Sequence, residues 1–310
     1  MALQILYPIL CLAVIGAGGC VTGANPGYTV GEIVHHLSLS RAKFVITQET
    51  CAGRGRVAAH QCGIPSNRTF IFDHGPLTTS DYPSLDDLLC HGESTWEQWE
   101  VSKEGTKNLT STQFAMISST SGTTGLPKAA AIPHQYLIAQ AVMIEKHNGG
   151  QNKHVSMSGH QVSWQLILLQ VSQLVALPVF HAFAMQLVLI MPLRQGTPTY
   201  FLPRFDMQLF TDKVFEYSIT DVAVVPPIIS SLLRLPRSKH YQLGSLRYIV
   251  CAGATMNANL QSKLYDILSP EAVVAQCWGM TEVGWITSFA RYEKDVSGSV
   301  GRLLPGVELQ

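Results

Sequence analysis

The chain has 310 residues, with 21 Lys and Arg against 21 Asp and Glu. It is 46% hydrophobic and only 14% charged, with a mean hydropathy of +0.17. This length accommodates one large α/β domain or two average ones, the apolar content excludes global disorder, and the charge balance argues against a broad nucleic-acid-binding face. Seven scattered cysteines form no CxxC pair and no zinc spacing, so a reducing compartment with mostly buried thiols is expected.

Residues 2–18 are almost wholly apolar. No Lys or Arg precedes them, Pro8 interrupts them, and the run is too short to span a bilayer. They read as a buried helix leading into a strand. Thr29 can cap a helix over 30–39, followed by a strand at 43–47, a helix at 52–61 and a short strand at 69–72. A helical turn is expected at 85–89. Residues 94–107 are polar, with Trp96 and Trp99 as anchors. A strand at 113–118 runs straight into the loop TSGTTGLPK over residues 120–128. Helices are expected at 133–147, 183–190, 210–217, 227–235 and 259–268. Strands are expected at 174–180, 197–202, 221–225, 246–251 and 273–277. The last ten residues resemble a turn entering a strand that nothing terminates, so the chain is expected to stop inside an element, with uncovered apolar faces that favour self-association. Short strands alternating with helices define an α/β fold with mostly parallel sheets.

In such folds ligands lie beyond the carboxyl ends of strands. Four places meet that rule: the loop after 113–118, His181, residues 253–255 and residues 278–282. The loop is the strongest signal. Gly122 and Gly125 permit tight turns that converge amide N–H groups on an anion, Thr120, Ser121, Thr123 and Thr124 add hydroxyls, and Lys128 adds a charge. It is not a Walker A loop, because the spacing fails. The segment QCWGMTE over 276–282 offers Trp278 for stacking, Gly279 for close backbone approach, Thr281 as a hydroxyl and Glu282 as a carboxylate suited to Mg²⁺ beside a polyphosphate. Taken alone, Trp278 is more often core, His181 a satisfied core histidine and Glu282 a solvated surface group. Asp206, Asp212 and Asp221 read as turn and cap residues.

In motif order the chain resembles the adenylate-forming superfamily, and within it fungal 4-coumarate–CoA-ligase-like acyl-CoA ligases. TSGTTGLPK matches the phosphate-binding signature and GMTE over 279–282 the second signature. VTGANPGYT over 21–29, LPVFHA over 177–182, AGAT over 252–255 and SVGR over 299–302 fit further family segments. The resemblance implies the large N-terminal domain of such an enzyme, in two lobes, 1–175 and 176–298. It further implies an incomplete distal β-subdomain from 299 and the absence of the C-terminal domain with its lysine. It implies ATP with Mg²⁺, CoA as co-substrate and a small carboxylic acid as substrate. Thr120, Ser121, Gly122, Thr123, Thr124, Gly125 and Lys128 would hold the β- and γ-phosphates. Gly253, Ala254, Thr255, Trp278, Gly279 and Met280 would frame the nucleotide, Thr281 would touch the α-phosphate, and Glu282 would hold the metal. His181 would line the carboxylate side, with Val225 and Ala252 as weaker pocket residues. Lys128, His181, Thr281 and Glu282 are the catalytic candidates. The departures are CAGAT over 251–255 where relatives often read SGAAP, and Trp278 where Tyr or Phe is common. The resemblance further implies that the ribose-binding motif of the family lies beyond these 310 residues. A catalytically deficient remnant with weak ATP binding is the alternative reading. No nucleic acid or membrane span is expected, and the cytoplasm is the expected compartment. The phosphate loop, at 121–124, is expected to share one cleft with 281–282.

Overall fold

A computed structural model describes residues 5–72, 82–95, 113–120, 127–149, 154–157, 160–163 and 171–309. The chain falls into two compact units, one of residues 18–134 and one of residues 2–17 with 135–310.

The first unit contains β1 (Val21–Thr22), α1 (Val30–Ser40), β2 (Val45–Thr47), α2 (Glu49–Gln61), β3 (Thr69–Ile71), α3 (Leu85–Thr95), β4 (Phe114–Thr120) and β5 (Lys128–Pro133). Thr29 caps α1 as expected. Its side chain accepts from Glu32 N while Glu32 accepts from the Thr29 backbone, a complete capping box. Leu37, Val45, Ala58, Ala59 and Ile64 form a small core under α1 and α2. β4 lies between β1, in parallel, and β5, antiparallel. β5 was not expected. The alternation that marks a half-buried strand is hidden in Lys-Ala-Ala-Ala, and only pairing with β4 extends it. Ser94 and Thr95 of the expected polar stretch belong to α3, and residues 96–107, Trp96 and Trp99 among them, lie outside the described residues.

The second unit begins with α4 (Leu6–Gly16). The expected burial of this helix is corrected. Tyr7, Pro8 and Cys11 are buried, but Ile5 and Ile9 are 66% and 62% exposed. After it come α5 (His134–His147), the hairpin β6 (His154–Met157) and β7 (His160–Ser163), β8 (Gln173–Val175) and α6 (Ala182–Met185). A π-helical turn (Gln186–Ile190) links α6 to α7 (Met191–Gln195). Then follow β9 (Thr199–Phe201), α8 (Met207–Glu216), β10 (Asp221–Val224), α9 (Pro226–Leu232), β11 (Tyr248–Cys251), α10 (Ala258–Tyr265), β12 (Val273–Met280), β13 (Gly284–Ser288) and β14 (Arg302–Leu303). The seven-stranded sheet runs β14-β13-β12-β11-β10-β8-β9, parallel from β9 to β12 and antiparallel beyond. Both faces are covered. Ile249 and Cys251 of β11 point into a core with Phe210, Ile229 and Leu264. Tyr248 and Val250 point into one with Ile144, Met191 and Trp285. Burial on both faces gives these strands their continuous apolar runs.

Two sequence expectations fail on side chains. Among the seven cysteines, all free, only Cys11, Cys251 and Cys277 are buried. Asp206 does cap α8 by accepting from Leu209 N. Asp221, by contrast, is a buried strand residue in an ion pair with Arg291.

Candidate nucleotide-binding and acid-binding site

In the second unit the parallel register aligns Val224, Cys251 and Gln276 across β10, β11 and β12. β10 and β11 therefore end flush at Val224 and Cys251, while β12 runs on past Gln276 to Met280, and residues 253–255 and 278–282 lie at that end of the sheet. Gly253, Ala254 and Thr255 leave β11 as an exposed loop. Gly253 has φ +85°, and a Cβ there would sit 3.4 Å from the Val225 side chain. The added Cβ would find room there, so it is the left-handed conformation that calls for glycine. The buried Gln276 fixes the loop, since its Oε1 accepts from Met256 N at 3.0 Å and its Nε2 donates to Ser299 O at 3.1 Å. Val225 is the N-cap of α9, and Ala252 is buried in the sheet core.

Residues 278–280 are not a loop. β12 continues through them, paired with β13 and bulged between Trp278 and Gly279. Gly279 is needed by the hairpin itself, because a Cβ there would run into the Gly284 carbonyl oxygen. Trp278 and Met280 are 43% and 50% exposed, so neither belongs to the core. Thr281 and Glu282 occupy the following turn, Thr281 half-buried and Glu282 exposed. Among the described residues no group of three or more His, Cys, Asp or Glu is placed to hold a metal.

The sequence reading missed what holds this turn. Gln140 of α5 donates to Val283 O at 3.1 Å and Trp285 O at 3.3 Å, and accepts from Trp285 N at 2.8 Å. Tyr136 donates to Thr281 O at 3.3 Å, and burial, with the nearby Glu282 carboxylate, pushes its pKa up to about 12. The available signal was Gln140 itself, a polar residue between Leu137, Ala141 and Ile144 on a helix face buried in the core.

His181 is the N-cap of α6, not a core histidine. Its Nδ1 accepts from Phe183 N at 3.2 Å, which leaves the proton of the neutral ring on Nε2. Partial desolvation lowers its pKa. Phe183 packs on Trp285 with ring centroids 5.7 Å apart. Between the sheet and α5–α7 lies a cavity of about 90 Å³, walled by Leu177, Ala184, Leu187 and Val188, with Asp221 and Arg291 also lining it.

In the first unit Thr120 ends β4 and Lys128 begins β5, directly opposite one another. Lys128 is exposed and Thr120 half-buried. Ser121, Gly122, Thr123, Thr124 and Gly125 lie outside the described residues, and with them the expected shared cleft.

A doubly covered parallel sheet with its exposed candidate residues gathered at the strand ends is the architecture of an α/β ligand-binding domain. Residues 4–310 match the family described as AMP-binding enzyme, and the chain belongs to that family. It is 35% identical over 312 residues to the acyl-CoA ligase azaF of Aspergillus niger, covering 98% of this chain and 54% of that protein. It is 35% identical over 311 residues to the phenylacetyl-CoA ligase epaB of Aspergillus niger, again covering 98% of this chain and 54% of the relative. The chain thus spans about half the length of these curated relatives. Its fold matches ATP-bound MatB from Rhodopseudomonas palustris with a TM-score of 0.73 at 22% identity, over 98% of this chain and 53% of that one. Among the described residues no helix is long and apolar enough to cross a membrane.

Proposed function

We propose that these 310 residues carry the nucleotide- and acid-binding part of an enzyme that activates a carboxylic acid with ATP and passes the acyl group to CoA. Taken by themselves, they bind ATP weakly and turn over little. The observation that carries the reading is the exposed edge formed by residues 253–255 and 278–282 in a chain matched to AMP-binding enzymes over 4–310. Trp278 and the 253–255 loop would receive the adenine, Thr281 the α-phosphate, and residues 120–125 with Lys128 the β- and γ-phosphates. Mg²⁺, when bound, would neutralise phosphate oxygens, with Glu282 as a supporting carboxylate, since one exposed side chain is no complete cage. His181, neutral because its pKa is lowered, adds no competing positive charge beside the acid. The mainly apolar lining of the cavity suits the apolar part of an acid's tail, of which its roughly 90 Å³ would take only a portion.

The low turnover follows from the chemistry. Adenylation needs the α-phosphate in line with the carboxylate, and small misplacements cost about 100-fold. The ribose clamp and lysine implied by the family resemblance are not among these 310 residues, and one such charge-stabilising donor is worth roughly 3 kcal/mol. Pyrophosphate release with ATP, Mg²⁺ and a panel of aryl and medium-chain acids should be near background for this chain and rise at least 100-fold once the downstream coding sequence is added. Robust acid-dependent release by the 310 residues alone would refute the low-turnover reading. No release from either form would refute the acid-activation reading. Self-association belongs to the same proposal, because Ile5, Ile9 and Leu193 are exposed apolar groups. Size-exclusion elution should shift with concentration, and a monomer at all concentrations would count against it.

A further inference from the structure

Two consecutive histidines of α1 meet the loop-side ends of β4 and β5. His36 is buried, with Nε2 at 2.9 Å from Thr22 Oγ1 and Nδ1 at 3.0 Å from Ser119 Oγ. Thr22 has a single hydroxyl proton and donates it to Ile117 O at 2.8 Å. Its oxygen therefore accepts from His36 Nε2–H, which leaves Nδ1 bare to accept the Ser119 hydroxyl proton. Burial lowers the His36 pKa, the nearby His35 lowers it further, and the neutral ring this requires is the stable form. One residue earlier, His35 Nε2 lies 3.1 Å from Pro127 O, and a carbonyl can only accept, so Nε2 donates there. Ser119 precedes Thr120 and Pro127 precedes Lys128, so both contacts fall one residue before the cross-strand pair Thr120–Lys128. The mount is itself fixed, since α1 carries a capping box and packs on α2.

We propose that His35 and His36 are positioning residues. By holding Pro127 and Ser119 they set the Thr120–Lys128 pair, and with it the Lys128 ammonium, for the β- and γ-phosphates of ATP. This rests on the role proposed above for Lys128. A charged group on a flexible four-carbon stem places a phosphate only as well as its backbone is held.

The test titrates ATP with Mg²⁺, and separately AMP, into the unaltered chain and into Lys128→Ala, His35→Ala, Ser119→Ala, His36→Ala and His36→Asn, with a melting curve for each. His35→Ala and Ser119→Ala should weaken ATP about 5- to 10-fold, the scale of one lost hydrogen bond, while AMP affinity stays unchanged. His36→Asn, which keeps an acceptor near the Nδ1 position, should recover most of what His36→Ala loses. If His36→Ala fails to fold, the His35 and Ser119 variants decide. Equal losses of ATP and AMP affinity would mean a purely structural role and overturn the proposal. Unchanged ATP affinity in the histidine and serine variants, with Lys128→Ala weakened, would overturn the positioning and spare the reading of Lys128. Unchanged ATP affinity in Lys128→Ala would overturn that reading, and no nucleotide binding by the unaltered chain would overturn both.

Discussion

Replacing Arg291 with methionine should lower the melting temperature by on the order of 10 °C. Arg291 forms a two-pronged pair with Asp221, its Nη1 to Oδ1 and its Nη2 to Oδ2, the second at 2.6 Å. Both side chains are largely enclosed, at 15% and 12% exposure. Burial opposes the Arg291 charge, but the carboxylate and its hydrogen bonds outweigh that and hold the pKa above the ordinary arginine value. The guanidinium also lies over the Tyr248 ring at 5.1 Å, and the Arg291 backbone donates to Asn148 at 2.9 Å. Methionine preserves the volume but strands the Asp221 carboxylate, with the Thr220 hydroxyl at 2.5 Å as its remaining partner. Breaking a buried pair from one side costs about 3–5 kcal/mol, whereas replacing both partners by apolar groups is often close to neutral. The double variant Asp221→Leu with Arg291→Met should therefore recover most of the loss. Thermal melts of the two single variants and the double variant decide the matter. A single variant melting within about 2 °C of the unaltered chain would show that the pair contributes little.

Gly284→Ala should cost roughly 3 kcal/mol and loosen the turn that carries Thr281 and Glu282. Gly284 has φ +79°, where an L side chain is strained by about 1–2 kcal/mol. The larger part is steric. An added Cβ would lie 2.5 Å from Gln140 Cδ and 2.8 Å from the Tyr136 hydroxyl, the two residues that hold the turn. Displacing Gln140 leaves the Trp285 N–H buried without its acceptor. Gly306→Ala is the matched control, because φ there is +86° with nothing within 4 Å of the added Cβ. Urea denaturation should show Gly284→Ala losing at least about 1 kcal/mol more than Gly306→Ala. Equal losses would assign the whole effect to backbone strain and leave no role for the Gln140 contact. In the extended chain ATP affinity should also fall about tenfold for Gly284→Ala and stay unchanged for Gly306→Ala.

Helices and inner strands were readable because local chemistry sets them. Thr29 ahead of an apolar-periodic run is a local cap signal, and the structure contains the cap, completed by Glu32 as a capping box. The runs that became β10, β11 and β12 are apolar on both faces, as a doubly covered sheet requires. The extension of β12 through Trp278, Gly279 and Met280 was not readable. Trp278 favours a strand but Gly279 reads as a turn, and the three residues become a strand by pairing with β13, which the sequence reading also missed.

The candidate residues were visible as a local pattern of glycines, hydroxyls and a lysine after an apolar strand. Their supports were not. Gln140 reaches Trp285 across 145 positions, His36 reaches Ser119 across 83 and Arg291 reaches Asp221 across 70. Asp221 read as a turn residue because a lone aspartate usually is one, and only a distant arginine makes its burial tolerable. The sequence by itself determined the α/β alternation, the capped helices and the identity of the exposed candidates, because periodicity, caps and turn chemistry act within a few residues. The tertiary structure alone decided which buried polar groups find partners and how each candidate is held, because a hydrogen bond or ion pair depends on ångström distances between residues that the chain separates by dozens of positions.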